Sequence, residues 1–404
     1  MVLLGVLGYP RHLLSLPGPH AVGAVHARID DDHSSCFANT FYPCGAGGVR
    51  QPYWRGPAID SITSMIGVPR WLLAHLAKRG PAREGAPVLT PPTTQENGWP
   101  LVIFSHGTWG SCEMYTSLCR SLASFGFVVV ALEHEDGSGC YATRRSGQVV
   151  KHTDPVVKGN AGERPSMLQH RMDELDHALK SVSAAAPRTG ARAADDAATL
   201  GAILAACDRR QTALMGHSFG GATMARAAQT LTGRHAIACT VMLDTWLGAL
   251  PSDAIAAAVP VPSLSIDSES WAASGGYHRS PMFAASRAAV AFVAPGTVHQ
   301  SFSDSQLWAP SPLARRMAAL GRAERRHRTH DAVARLASTF IRQCLTPPRL
   351  PPPADAPDAA GEARSEHVKR AAREEALLAQ AGLDAVGTQE EPRALVSCHA
   401  LPAL

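Results

Sequence analysis

The chain has 404 residues, 45% of them apolar, enough for one large α/β domain or two smaller ones. Its 38 Lys and Arg against 34 Asp and Glu leave a net charge of only +4, which argues against nucleic acid as the main partner. Nine cysteines (36, 44, 112, 119, 140, 207, 239, 344 and 398) are scattered with no C-x-x-C pair or zinc-ligand spacing, so they read as free thiols of a reducing compartment.

The N-terminal stretch "MVLLGVLGYPRHLLSLPGPH" starts apolar, but no basic region precedes it, and Pro10, Arg11 and His12 interrupt it. A myristoylation signal would need glycine after Met1, and Val2 stands there. No apolar run is long enough to span a bilayer. The expected location is cytoplasmic, with peripheral membrane association as an addition and secretion as the alternative.

Residues 1–95 are rich in Pro and Gly and read as an irregular part of the main domain. One helical segment stands out near 58–80, with apolar groups at helical spacing on either side of Pro69. "WPLVIFSHG" then gives a continuous apolar run, Leu101 to Phe104, of the kind buried on both faces of a parallel sheet. "GFVVVALEHEDGSG" repeats the design over 127–132. Between them Met114, Leu118, Leu122 and Phe125 share a helical stripe that stops at Gly126. This strand–helix–strand crossover demands a parallel sheet.

A longer excursion follows, from 137 to about 208, in which Leu168, Met172, Leu175 and Leu179 mark an amphipathic helix. "QTALMGHS", "AIACTVMLD", "VPSLSID" and "AAVAFVAPGTVH" supply four further strands. Six arginines at 315, 316, 322, 325, 326 and 328 read as a solvated helix face, with attraction to an anionic lipid surface as the alternative. A helix near 329–344 offers Val333, Leu336, Phe340 and Ile341 to the sheet. Residues 346–404 turn to Pro, Ala and charge, and read as a mostly disordered tail with one charged helix near 362–382. The catalytic domain would then be 1–345.

The string "MGHSFGGATM" fits G-x-S-x-G through Gly216, Ser218 and Gly220. The pattern alone is common, but here "TALM" before it is strand-like and "GATMARAAQTL" after it helix-like. Ser218 therefore sits on a strand-to-helix turn, the nucleophile elbow of an α/β-hydrolase fold, with a mostly parallel sheet and helices on both faces. An ordinary glycine-rich turn is the alternative. A serine hydroxyl needs a base, and the base an orienting acid, in the order acid then histidine on later strand ends. Asp244 after "ACTVML" and His299 after "AVAFVAPGTV" fill those places. Asp267 also ends a strand-like run and is the rival acid, whereas Asp304 follows His299 and breaks the order. His278, His327 and His330 are less well placed as bases. Oxyanion donors should be backbone N–H groups of Phe219 and, in the loop "FSHGTWGS", of Thr108.

At this point "LVIFSHG", "SLASFGFVVVALEHEDGS", "GHSFGGAT", "LDTW" and "VHQSFSD" together resemble the platelet-activating factor acetylhydrolases. The resemblance spans roughly 18–345 and leaves out the tail. It implies an α/β-hydrolase fold and calcium-independent hydrolysis of short or oxidised sn-2 acyl chains from phospholipids at a membrane or micelle surface. Matched motif by motif, it implies Ser218 as nucleophile, Asp244 as acid, His299 as base, and the backbone of Thr108 and Phe219 as the oxyanion hole. The family often has leucine at the position of Thr108. No metal or other cofactor is expected, and no transmembrane segment. The helix containing Trp71, Leu72, Leu73 and Leu76 and the arginine-rich segment are candidate interfacial surfaces, with core packing the competing role for the former. A general carboxylesterase or lipase of the same fold is the alternative reading, and a non-catalytic binding protein of that fold a further one.

Overall fold

The structure is a computed structural model that describes residues 16–29, 35–77, 79–93, 97–152, 164–184, 194–286, 288–308, 323–345, 369–370, 372–380, 383–386 and 393–397. Its strands are β1 (Val22–Arg28), β2 (Phe37–Pro43), β3 (Val49–Pro52), β4 (Arg79–Glu84), β5 (Trp99–Ser105), β6 (Val128–Glu133), β7 (Tyr141–Thr143) and β8 (Val149–Lys151). After these come β9 (Cys207–His217), β10 (Ile237–Leu243), β11 (Ser263–Ser268), β12 (Ala289–Ala294), β13 (Leu383–Val386) and β14 (Arg393–Ser397). The longer helices are α1 (Gly56–Ile66), α2 (Thr116–Ser124), α3 (Arg164–Ser183), α4 (Ala194–Ala205), α5 (Phe219–Leu231) and α6 (Ala323–Leu345).

Twelve strands form one sheet in the order β13-β14-β12-β11-β10-β9-β5-β6-β2-β1-β4-β3. The run from β12 to β6 is parallel throughout, so these six strands end on the same edge. Their apolar character follows from burial on both faces. In β5, Val102 and Phe104 point into one core and Leu101 and Ile103 into the other. Leu118 and Leu122 of α2 cover the first face with Leu336, Phe340 and Ile341 of α6. Leu175 and Leu179 of α3, Leu200 and Ile203 of α4, and Ala222, Ala225 and Ala228 of α5 cover the second. The small alanines of α5 let that helix lie close on the sheet directly behind Ser218.

The N-terminal part holds four strands, although its composition and periodicity point to only one helix. β1 and β2 are short and mix Asn, Thr, His and Arg with their apolar residues, so no run or alternation announces them, yet both are largely buried. The helical segment at 58–80 is broken: α1 ends at Gly67, left-handed with φ 68°, and only 3₁₀ turns follow Pro69. Within those turns Leu73 and Leu76 are buried while Trp71 is 73% exposed, so one segment divides between core and surface.

Of the six arginines read as one basic face, Arg325, Arg326 and Arg328 fall on α6, where their side chains lie outside the described residues. Positions 315, 316 and 322 fall outside those residues, as do residues 1–15. The expected tail also differs from what is described of it. Residues 372–380 are helical, β14 pairs in parallel with β12 and β13 pairs with β14. Leu377 and Leu378, isolated in a charged sequence, are buried against the main core. Two leucines on one turn are enough for docking, but too few for a compositional reading to detect.

Burying such a side chain stabilises by about 1.5–3 kcal/mol. Truncation after residue 345 should therefore leave a folded protein whose melting temperature is lower by several degrees, measured by differential scanning calorimetry. An unchanged melting temperature would count against docking of Leu377 and Leu378.

Candidate active site

β9 ends at His217 and α5 begins at Phe219, so the whole turn is one residue, Ser218, at φ 57° and ψ −116°. The turn closes only because its neighbours lack side chains. A Cβ on Gly216 would lie 2.4 Å from the Gly220 carbonyl carbon, and one on Gly220 would lie 2.1 Å from the Ser105 carbonyl oxygen. The Ser218 N–H donates to the Leu243 carbonyl at 2.9 Å, which ties the elbow to the end of β10.

Asp244 follows β10 at once, with φ 42°, and His299 opens the 3₁₀ turn after β12. Asp244 Oδ2 lies 3.0 Å from His299 Nδ1, and His299 Nε2 lies 3.0 Å from Ser218 Oγ. The Ser268 N–H and hydroxyl donate to the two Asp244 oxygens at 2.5 and 2.6 Å. Burial raises the Asp244 carboxyl above its usual range, and His299 and Ser268 work against that rise. Trp271 stacks on the His299 ring, with centroids 4.3 Å apart, and fixes its plane. Three separate strand ends thus deliver a serine–histidine–aspartate chain.

The rival groups go elsewhere. Asp267 binds His278, Oδ2 to Nδ1 at 3.0 Å, so the competing acid and a competing base occupy each other. Alternation along β11 sends Asp267 away from the side where Ser268 meets Asp244. His330 is buried in α6, where burial lowers its pKa to about 4. Asp304 is buried beneath the site, accepting from the Tyr53 hydroxyl at 2.6 Å and from the Ser117 N–H in the first turn of α2.

Thr108 lies on the loop after β5. The Gly107 N–H donates to the Tyr115 hydroxyl and the Trp109 N–H to the Ser138 carbonyl, so Thr108 sits between two committed neighbours. Phe219, at the first position of α5, has an N–H beyond the reach of intrahelical bonding. Arg171 of α3 braces this region. Fully buried, it pairs with Asp136 at 2.8 Å, donates to the His106 carbonyl at 2.6 Å and the Ser138 hydroxyl at 2.6 Å, and lies 4.4 Å over the Phe219 ring. A second serine–histidine–carboxylate set, Ser105–His134–Glu174, runs beneath it at 2.7 and 2.6 Å, but all three are buried, which closes it to any substrate.

Two sets of described side chains have metal-like donors. In His217, Asp244 and His299, the His299 Nδ1 already meets Asp244, and His217 Nε2 meets the His299 carbonyl. In His26, Cys112 and Glu133, the Arg55 guanidinium lies among the donors, bonded to His26 and Glu133. Sequence reading missed Ser268, Trp271, Tyr115 and Arg171, whose residue types carry no signature outside their tertiary setting.

A sequence model of the platelet-activating factor acetylhydrolase isoform II family matches residues 11–347. The chain belongs to that family. Among curated relatives, the platelet-activating factor acetylhydrolase of Cavia porcellus is 26% identical over 305 residues, covering 71% of this chain and 67% of its own length. That of Bos taurus is 27% identical over 312 residues, with the same coverage of each chain. A putative phospholipase A2 of Schizosaccharomyces pombe is 42% identical over a short stretch of 72 residues, 18% of this chain and 14% of its own. A ferulic acid esterase from Streptomyces cinnamoneus superposes with a TM-score of 0.59 at 17% identity, over 87% of this chain and 96% of its own, and shares the fold. As a member of the acetylhydrolase family the chain is an ester hydrolase.

Two outcomes test these placements. Asp244→Asn keeps the shape but presents the wrong partner to His299, and should lower turnover by about 10⁴-fold. Asp267→Asn should change it by less than about tenfold, because its histidine is His278. Purified variants with matched melting curves decide between them. Asp304 provides a separate test through pH. Burial pushes its carboxyl up to about 7, so the native state keeps that proton at a pH where an unfolded aspartate, near 4, has lost it. The resulting stability is full below about 4 and is lost as pH rises through 7. Asp304→Asn should therefore gain melting temperature relative to wild type from pH 4.5 to 7 and level off above; a pH-independent difference would refute the assignment.

Proposed function

We propose that this chain hydrolyses the sn-2 ester of platelet-activating factor and of phospholipids with short or oxidised sn-2 chains, giving lysophospholipid and a short carboxylic acid. The observation that carries the reading is the chain of contacts from Ser218 Oγ through His299 to Asp244, at 3.0 Å for each link, inside a chain of this family. His299 Nε2 takes the proton of Ser218, whose oxygen attacks the ester carbonyl. The resulting oxyanion lies between the N–H groups of Thr108 and Phe219. Collapse breaks the bond to the glycerol oxygen, which leaves with the proton from His299, and an acyl-serine remains. Water then gives a proton to His299, attacks the acyl-serine, and releases the acid as Ser218 recovers its proton. Asp244 holds the histidine tautomer and the transient imidazolium.

Backbone donors supply the charge stabilisation in this scheme, so calcium has no role in it. The described surface supports a lipid-facing entrance. Trp109, on the oxyanion loop, is 39% exposed, Val149 on β8 is 46%, Ile66 at the end of α1 is 39%, and Trp71 in the 3₁₀ turn after Pro69 is 73%. α1 lies against β7, whose hairpin partner is β8, and Trp109 contacts His152 just beyond it. Among the described residues no helix is long and apolar enough to cross a membrane, and eight described cysteines are free thiols. We place the protein in the cytoplasm, in peripheral contact with its lipid.

Ser218→Ala should fold normally and lose activity on a short-chain sn-2 phospholipid by a factor on the order of 10⁶. A variant keeping a tenth of wild-type activity would end the nucleophile assignment. Excess EDTA should leave the wild-type rate unchanged, whereas loss that added calcium restores would point to another mechanism. In the same assay, a strong preference for simple aryl esters over the phospholipid would favour a general carboxylesterase.

A further inference from the structure

We infer that Tyr115 and His217 form a hydrogen-bond relay that holds the oxyanion loop and the base loop in register on either side of Ser218, making both of them positioning residues. The inference rests on the catalytic reading above and names two groups that reading leaves idle.

The relay is continuous. The Gly107 N–H donates to the Tyr115 hydroxyl oxygen at 3.2 Å, that hydroxyl lies 2.8 Å from His217 Nδ1, and His217 Nε2 lies 3.0 Å from the His299 carbonyl. Only one arrangement of protons satisfies it. A carbonyl can only accept, so His217 Nε2 carries the hydrogen. A neutral imidazole then has its lone pair at Nδ1, so Tyr115 donates there and its oxygen is free to accept from Gly107. Burial, together with the neighbouring His299, lowers the His217 pKa well below the usual range and keeps the ring neutral. Reversing any link would set two donors or two acceptors face to face.

The two ends are where the chemistry needs precision. Gly107 immediately precedes Thr108, the proposed oxyanion donor, and lies so near the elbow that a Cβ on it would be 3.0 Å from Ser218 Cβ. Rotation at Gly107 would swing the Thr108 N–H. The other end is the carbonyl of the residue that carries the base, and the His217 and His299 rings lie with centroids 4.6 Å apart. His217 itself precedes the nucleophile in the chain. The relay thus joins the three catalytic loops through side chains that are only 2% and 1% exposed. Arg171 fixes the oxyanion loop from the opposite side through the His106 carbonyl, so the relay is the link that couples that loop to the base.

The test uses the full-length enzyme and a soluble short-chain aryl ester, which removes interfacial effects. Misplacing an oxyanion donor costs up to the 10²–10³-fold range seen when one is deleted outright. Tyr115→Phe, which removes one oxygen, should lower kcat by roughly ten- to a hundredfold, with KM changed less than about threefold and the melting curve close to wild type. His217→Leu should give a similar loss. His217→Gln, which again offers a neutral donor and acceptor, should recover most of it. The double variant Tyr115→Phe with His217→Leu should be no worse than the poorer single, because both break one chain. Losses that multiply in the double, or a Tyr115→Phe enzyme within twofold of wild-type kcat, would overturn the relay. If His217→Leu does not fold, Tyr115→Phe decides alone. Ser218→Ala is measured beside them: if it is dead while Tyr115→Phe is fully active, only the relay fails, and if it stays active, the catalytic reading fails and takes the relay with it.

Discussion

At Gly220 the first turn of α5 lies against the Ser105 carbonyl so closely that no side chain fits between them. That approach brings the ends of β5 and β9 into contact and leaves room for a single residue in the elbow. Ser218 is consequently forced into a backbone conformation that L-residues rarely adopt. Among the described residues the other non-glycine positions with positive φ are Trp109 and Asp244, at 67° and 42°. All three lie at the site, in the loop after β5, in the elbow after β9 and at the end of β10. Such strain costs on the order of 1–3 kcal/mol per residue and persists only where surrounding structure over-determines the geometry.

Much of that determination is polar and buried. Arg171 and Asp136 form an ion pair with no exposure to solvent, and removing one partner of such a pair typically costs about 3–5 kcal/mol because the other is left uncompensated. The guanidinium is not idle beyond the pair, since it also braces the loop that carries Thr108 through the His106 carbonyl. The histidines nearby are kept neutral by the same burial: His106 is lowered to about 4, and His134 and His217 well below their usual range. A neutral imidazole has one donor and one acceptor, which makes it a directional spacer. The site uses three of them to fix loops and leaves the partly exposed His299 for the proton transfers proposed above.

The rim around this rigid centre differs in character. Trp71, Ile66, Trp109 and Val149 project from a 3₁₀ turn, a helix end, a loop and a hairpin, and form the apolar rim of the proposed lipid-facing entrance. The division between an exposed apolar rim and a strained polar base suits the proposed hydrolysis of a lipid ester, in which the reacting groups need close placement.

Local pattern alone carried the parallel core. Continuous apolar runs ending in Ser105, His217, Asp244 and Asp267, separated by helical stripes, specify buried strands and crossovers, and Gly216 and Gly220 mark a turn that tolerates no side chain. The chain order of Ser218, Asp244 and His299 followed from the same runs. The strand pattern favoured Asp244 but left Asp267 as a rival acid, since both close strand-like segments. That choice belongs to the pairing of β10 with β11, Leu243 opposite Ile266, which sets Ser268 beside Asp244 and turns Asp267 toward His278. The strands of the N-terminal part, the docking of Leu377 and Leu378, the bracing by Arg171 and the path from Gly107 through Tyr115 and His217 to His299 were likewise decided in three dimensions. Each depends on partners between eight and more than two hundred residues apart in the chain. Periodicity records which face of an element is buried, but it holds no information about which distant group will be waiting there.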